Sequence, residues 1–277
     1  MRDLLAECRA GPTRTALRKQ VTHTHLSNVN AVCNRGSSVL LYAPCPPASR
    51  IMSPRAFFAD RADAGRRLAT ALKKLTLEKP IVYALPRGGV PVAAEVAAAL
   101  NAPLDLVLVR KMGAPYQPEL AIGALVDGDV PEVVLNREIA AAAGADAAYI
   151  AAVEARELRE IERRRSVYLR GRPIISPAKR DAIVIDDGIA TGATALAAVH
   201  ALKRRGAGRV IVAVPVAPPD VVTRLRAEAD LVVCLTQPEW FAGISAFYQD
   251  FHQLEDQEVV AMLTAAATHS AKSDAVG

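Results

Sequence analysis

Five short apolar runs, separated by helical patterns and turns, constrain the fold of this chain more than any other feature. They are residues 81–85, 104–109, 182–185, 210–216 and 230–235, each rich in Val, Ile or Leu and bounded by turn residues. Runs of this length and composition read as buried strands. Helical spacing follows at 90–100, 196–205 and 219–228, the second ending at Gly206, a usual C-cap residue. Leu68, Leu72 and Leu75 predict another helix across 59–77, whose Arg61, Arg66, Arg67, Lys73 and Lys74 read as a solvated face. Residues 137–169 read as one or two helices, with 157–161 and the arginines after them spaced for helix-surface pairs. Strands alternating with helices predict an α/β fold, a mostly parallel sheet with helices on both faces. In such sheets ligands bind beyond the carboxyl ends of the strands.

The stretch 182–200, AIVIDDGIATGATALAAVH, places chemistry at such an end. A strand runs into Asp186 and Asp187, then through Gly188, Ile189 and Ala190 to Thr191, Gly192, Ala193 and Thr194, where a helix begins. A Gly/Thr loop at a helix start exposes unpaired N–H groups at the positive end of the helix dipole, which suits a phosphate. Two carboxylates beside it suit the hydroxyls of a sugar, or Mg²⁺ held through water. Together they describe a ribose 5-phosphate. The plainer alternative is a threonine N-cap on an ordinary strand-to-helix turn.

A second strand end, Pro86-Arg87-Gly88-Gly89, also leads into a helix. Its glycines permit close backbone approach and Arg87 supplies a fixed charge, as an anion site requires. Arg110 and Lys111 follow the 104–109 strand.

The block IVIDDGIATGAT, 183–194, resembles the PRPP-binding signature of the type I phosphoribosyltransferases, in which two acids precede T-G-x-T. The resemblance implies that Asp186 and Asp187 hold the ribose diol and, through water, Mg²⁺. It implies that Gly188 and 190–194 bind the 5′-phosphate. Arg87, Gly88, Gly89, Arg110 and Lys111 would bind pyrophosphate, with Lys111 assisting catalysis. Residues 112–129, MGAPYQPELAIGALVDGD, resemble the flexible loop that closes over the site in this family. A lid suits a reaction that passes through a cationic sugar, which water would trap. Aromatic residues at 237–254, among them Trp240 and Phe241, would form a small hood over a planar acceptor. The activity implied is transfer of ribose 5-phosphate from PRPP to a nitrogen acceptor such as a nucleobase, by a cytoplasmic homodimer. Two departures stand out. Ala190 occupies the position where hypoxanthine-type enzymes carry an aspartate, and 112–129 holds no lysine. Both leave open a PRPP-sensing regulator on the same fold. A receiver-like domain with acids at a strand end would not call for T-G-x-T.

Charge separates the chain into two parts. Residues 1–51 carry seven Arg or Lys against Asp3 and Glu7, which accounts for the whole formal excess of +5. Residues 52–277 are thus neutral overall and present no general basic field for nucleic acid. No apolar run reaches the ~18 residues of a membrane span. The first 51 residues hold three of the four cysteines, Cys8, Cys33 and Cys45, without a C-x-x-C pair, and no apolar core of a signal peptide. They read as a poorly ordered extension, with Met52 as the true initiator and 52–277 as the folded domain.

Overall fold

The computed structural model describes residues 57–128 and 131–274, so the extension predicted at 1–51 lies outside the described residues. Elements run in the order α1 (Arg61–Leu72), β1 (Ile81–Ala84), α2 (Gly89–Leu100), β2 (Leu104–Leu106), β3 (Val109–Ala114), β4 (Gln117–Val126) and β5 (Glu132–Leu135). Then come α3 (Arg137–Ala142), α4 (Ala147–Leu169), β6 (Asp181–Ile185), α5 (Ala193–Arg204), β7 (Arg209–Val216), α6 (Pro219–Glu228) and β8 (Leu231–Thr236). A 3₁₀ turn (Ile244–Phe247) and α7 (Asp256–Asp274) complete the described chain.

Five strands form a parallel sheet in the order β2-β1-β6-β7-β8. All four residues of β1 and all five of β6 are buried, because helices cover both faces. Val82, Ala84, Ile183 and Ile185 face α1, α2, α4 and α7. Their neighbours Ile81, Tyr83, Ala182 and Val184 face α5 and α6. Each such side chain contributes about 1.5–3 kcal/mol by leaving water. The direction in which strands are added reverses between β1 and β6, since β1 connects outward to β2 and β6 outward to β7. The crevice between their carboxyl ends is the switch point where open α/β sheets take ligands.

The predicted flexible loop is corrected. Residues 109–126 form a β-hairpin, β3 and β4, and β5 extends it to a separate three-stranded antiparallel ribbon. Met112 and Ile122 of the ribbon are buried with Ala140 of α3 and Val153 of α4, which anchors it to the domain. Among the described residues no helix is long and apolar enough to cross a membrane.

Candidate active site

Two helix N-termini point at the crevice. The residue before α5 is Gly192, at φ +83°, and no side chain caps the first turn. Thr191 and Thr194 therefore do not act as N-caps, and the amides of that turn lack a side-chain acceptor. They border a cavity of about 210 Å³ lined by Asp186, Ala190, Thr191, Gly192 and Thr194. An open helix N-terminus flanked by two exposed hydroxyls is an anion cradle. α2 likewise starts at Gly88 without a side-chain cap. Beside it lies a second cavity of about 470 Å³, whose lining includes Arg61, Arg87, Gly88 and Asp187.

The acid pair separates these cavities, and its two members are unequal. Asp187 is buried and accepts a hydrogen bond from Arg61 Nε at 2.7 Å, with both side chains only 9% exposed. Tyr248 Oη donates to the Asp187 carbonyl at 2.5 Å. Asp186 meets the backbone N–H of Asp187 at 2.9 Å through Oδ1 and has no cation in hydrogen-bond contact. Desolvation and the neighbouring Asp187 charge push the Asp186 carboxyl well above the ordinary carboxylate range. Desolvation also raises Asp187, while the Arg61 guanidinium pulls it back down.

The sign of this shift predicts a pH effect. A raised acid favours the folded state most below its ordinary pKa of about 4, and that advantage fades as pH rises through the raised value. Burial and mutual repulsion therefore disfavour a full double charge on the pair, a cost that a bound cation would reduce. A carboxyl-carbon NMR titration should find Asp186 titrating above the ordinary range in the free protein. Adding Mg²⁺ with PRPP should bring that value down; an Asp186 that titrates normally and ignores the ligand would contradict this account.

The glycines at 88 and 89 also meet a packing requirement. A Cβ on Gly88 would stand 2.1 Å from Asp187 Oδ2, and one on Gly89 2.5 Å from the Ile185 carbonyl. They let the Arg87 turn lie directly against the acid pair. Gly188 is similarly close to Ile244 and Val216.

Several predicted residues do not converge here. Lys111 is on the ribbon, half-exposed, with its Nζ 2.9 Å from Glu119 Oε2. Arg110 pairs with the buried Glu157 of α4 at 2.9 Å, although it also shares a narrow recess with Pro86, Arg164 and Thr194. Glu157 is thus an interior anchor, not the surface partner its helix spacing suggested. Trp240 is 77% exposed, and Phe241 stacks on Phe247 with centroids 5.7 Å apart. Neither lines the two cavities, to which the hood segment contributes Ile244 on one side and Phe251 to Leu254 on the other.

Arg61 is the residue that sequence reasoning missed. It was assigned to a solvated helix face, yet it is 8% exposed and sits on the acid pair. Its position at the first residue of α1 was the available signal, since a helix start at a sheet's ligand edge faces the site.

Comparison with known proteins identifies the family of the chain. The family model described as phosphoribosyl transferase domain matches residues 59–252. A protein named "Putative phosphoribosyl transferase" in two strains of Mycobacterium tuberculosis is 47% identical over 219 residues, which is 79% of this chain and 49% of that protein. The chain thus spans about half the length of these relatives. A crystal structure from Thermus thermophilus is 46% identical, with a TM-score of 0.67, covering 75% of this chain and 98% of that one. The match runs from the start of α1 to residue 252 and takes in the acid pair with most of the lining of both cavities, and the chain belongs to the phosphoribosyl transferase domain family.

Proposed function

We propose that the protein transfers ribose 5-phosphate from PRPP to a nitrogen acceptor, probed first among nucleobases, and releases pyrophosphate. The observation that carries this reading is the pair of cavities on either side of Asp186 and Asp187, one beside the uncapped N-terminus of α5 and the other lined by Arg61 and Arg87. PRPP has a phosphate at one end of a ribose and a diphosphate at the other, so it calls for two anion sites flanking a group that binds the diol.

The Thr191–Thr194 loop would take the 5′-phosphate through the first-turn amides of α5 and the two hydroxyls. Asp186, which among the described residues forms no direct ion pair, would accept from the ribose hydroxyls and steady positive charge developing on the sugar. Mg²⁺ fits this donor set only in a shared form. Among the described residues no group of three or more His, Cys, Asp or Glu is poised for a metal, so Asp186 and Asp187 would hold it with water and ligand oxygens completing the shell. When bound, the ion would neutralise charge on the diphosphate. The Arg87 turn would orient that diphosphate for departure.

The test is pyrophosphate release from PRPP and Mg²⁺ with a panel of bases and amines. Release with one acceptor supports the transferase. Tight PRPP binding without release favours a sensor, a reading to which the outward-facing Lys111 lends support. In either case Thr194→Val should weaken ribose 5-phosphate by about tenfold, the scale of one hydrogen bond to a charged group. Calorimetric titration checks this, and unchanged affinity would remove the phosphate from the Thr191–Thr194 loop.

A further inference from the structure

The cavity beside Gly88 holds two guanidinium groups, and one short segment holds both of them in place. Arg61 Nη1 donates to the His252 carbonyl at 3.0 Å, and Arg87 Nη1 donates to the Leu254 carbonyl at 2.7 Å. These carbonyls are two residues apart in a stretch without regular secondary structure that leads into α7. Arg61 is further fixed by its Nε bond to Asp187 and by stacking 3.8 Å from the centre of the Phe251 ring. Arginine carries five N–H donors, and the contacts just named use two of those on Arg61. The remaining donors belong to an immobilised side chain that lines the cavity, so binding an anion there costs little further ordering.

The acids nearby leave donors of both arginines open: Asp186 and Glu258 act on Arg61 only at a distance, and Glu258 pairs with His252. Asp256 approaches Arg87 only to 3.8 Å and accepts from Tyr168 Oη at 2.6 Å. Asp187 occupies one edge of Arg61 and leaves its other donors unengaged by a carboxylate.

We propose, resting on the reading of this chain as a PRPP-binding protein, that Arg61 is the second cation of the diphosphate pocket. The 252–254 segment spaces Arg61 and Arg87 to grip both phosphates of the diphosphate, and Arg61 distinguishes PRPP from ribose 5-phosphate. Asp187 then serves to hold Arg61, while Asp186 serves the sugar. Arg110 and Lys111, tied to Glu157 and Glu119, give up the role that their sequence position suggested.

The experiment compares the wild type with Arg61→Lys and Arg61→Gln. PRPP, inorganic pyrophosphate and ribose 5-phosphate are titrated calorimetrically at fixed Mg²⁺ and salt, and each protein is melted alongside. Both variants should lose about ten- to a hundredfold in affinity for PRPP and pyrophosphate, with ribose 5-phosphate nearly unchanged. Arg61→Lys keeps a charge for Asp187, so it decides the matter even if Arg61→Gln does not fold. Equal weakening of all three ligands in Arg61→Lys would overturn the proposal, because Arg61 would then act only by supporting Asp187. Undiminished affinity for PRPP would overturn it as well. A wild-type protein that binds neither PRPP nor ribose 5-phosphate would refute the PRPP reading itself, a result distinct from any effect at Arg61, and the proposal would fall with it.

Discussion

Asp187→Ala is expected to lose about 3–5 kcal/mol of folding stability, the cost of leaving a buried charge without its partner. The abandoned charge is Arg61, which stacks on Phe251 and is largely buried. Asp186→Ala should behave oppositely. Its carboxylate is desolvated and repelled by Asp187, so removal relieves repulsion and leaves stability unchanged or raised. The same variant should lose most PRPP binding, since it removes the acid without a cation partner. Urea unfolding of both variants with a PRPP titration of each separates the roles. Equal stability in the two would mean that the Arg61–Asp187 pair does not support the fold. From sequence alone the acids look interchangeable, and either substitution would be expected to spare the fold.

Gly88→Ala should abolish detectable PRPP binding and destabilise the protein by about 1–3 kcal/mol, the usual penalty of overpacking. Its backbone is helical, at φ −57°, so alanine is acceptable there on conformational grounds. The obstacle is steric. The new methyl would lie 2.1 Å from Asp187 Oδ2 and 2.5 Å from its Cγ, and Asp187 cannot yield without dragging Arg61. The Arg87 turn must therefore lift away from the acid pair, taking the start of α2 with it. Thermal melting and PRPP titration check this. Wild-type affinity in Gly88→Ala would show that the turn does not need to rest on the acids.

What the sequence revealed and concealed follows from the range of the interactions involved. The strands of the parallel sheet are legible because each is buried on both faces and reads as an unbroken apolar run; β6 and β7 lie within a residue of their predicted bounds. The acidic pair and the turn into α5 are legible because their pattern is local to 186–194. The ribbon was hidden by Gly113, Pro115, Pro118 and Gly123, which read as a flexible loop. In the structure Gly113 gives room to the Pro118 carbonyl and Gly123 to the Val134 carbonyl, each 2.6 Å from where a Cβ would be. These are close approaches within a sheet, not points of flexibility. Register shifts around Gly113 also break the alternation that would have marked β3. Arg61 was hidden for another reason: Asp187 is 126 positions away and His252 is 191 away, beyond the reach of any pattern along one helix.

The two ends of the folded region are stitched together. Phe58 N–H donates to the Phe247 carbonyl, Gln249 N–H to that of Phe58 and Asp250 N–H to that of Ala59, each at 2.9 Å. This joint fixes the order in which the site can be assembled as the chain is synthesised. The acid pair and the loop after it also lean on later residues, since Ile189 N–H donates to the Val216 carbonyl and Tyr248 Oη to the Asp187 carbonyl. Arg61 emerges before any of these, but it must wait for Phe251 and the His252 carbonyl, among the last parts of the fold to appear. Such long-range closure is the slow step in a folding chain. A nascent domain would thus complete both sides of the acid pair only after residues 247–254 have emerged.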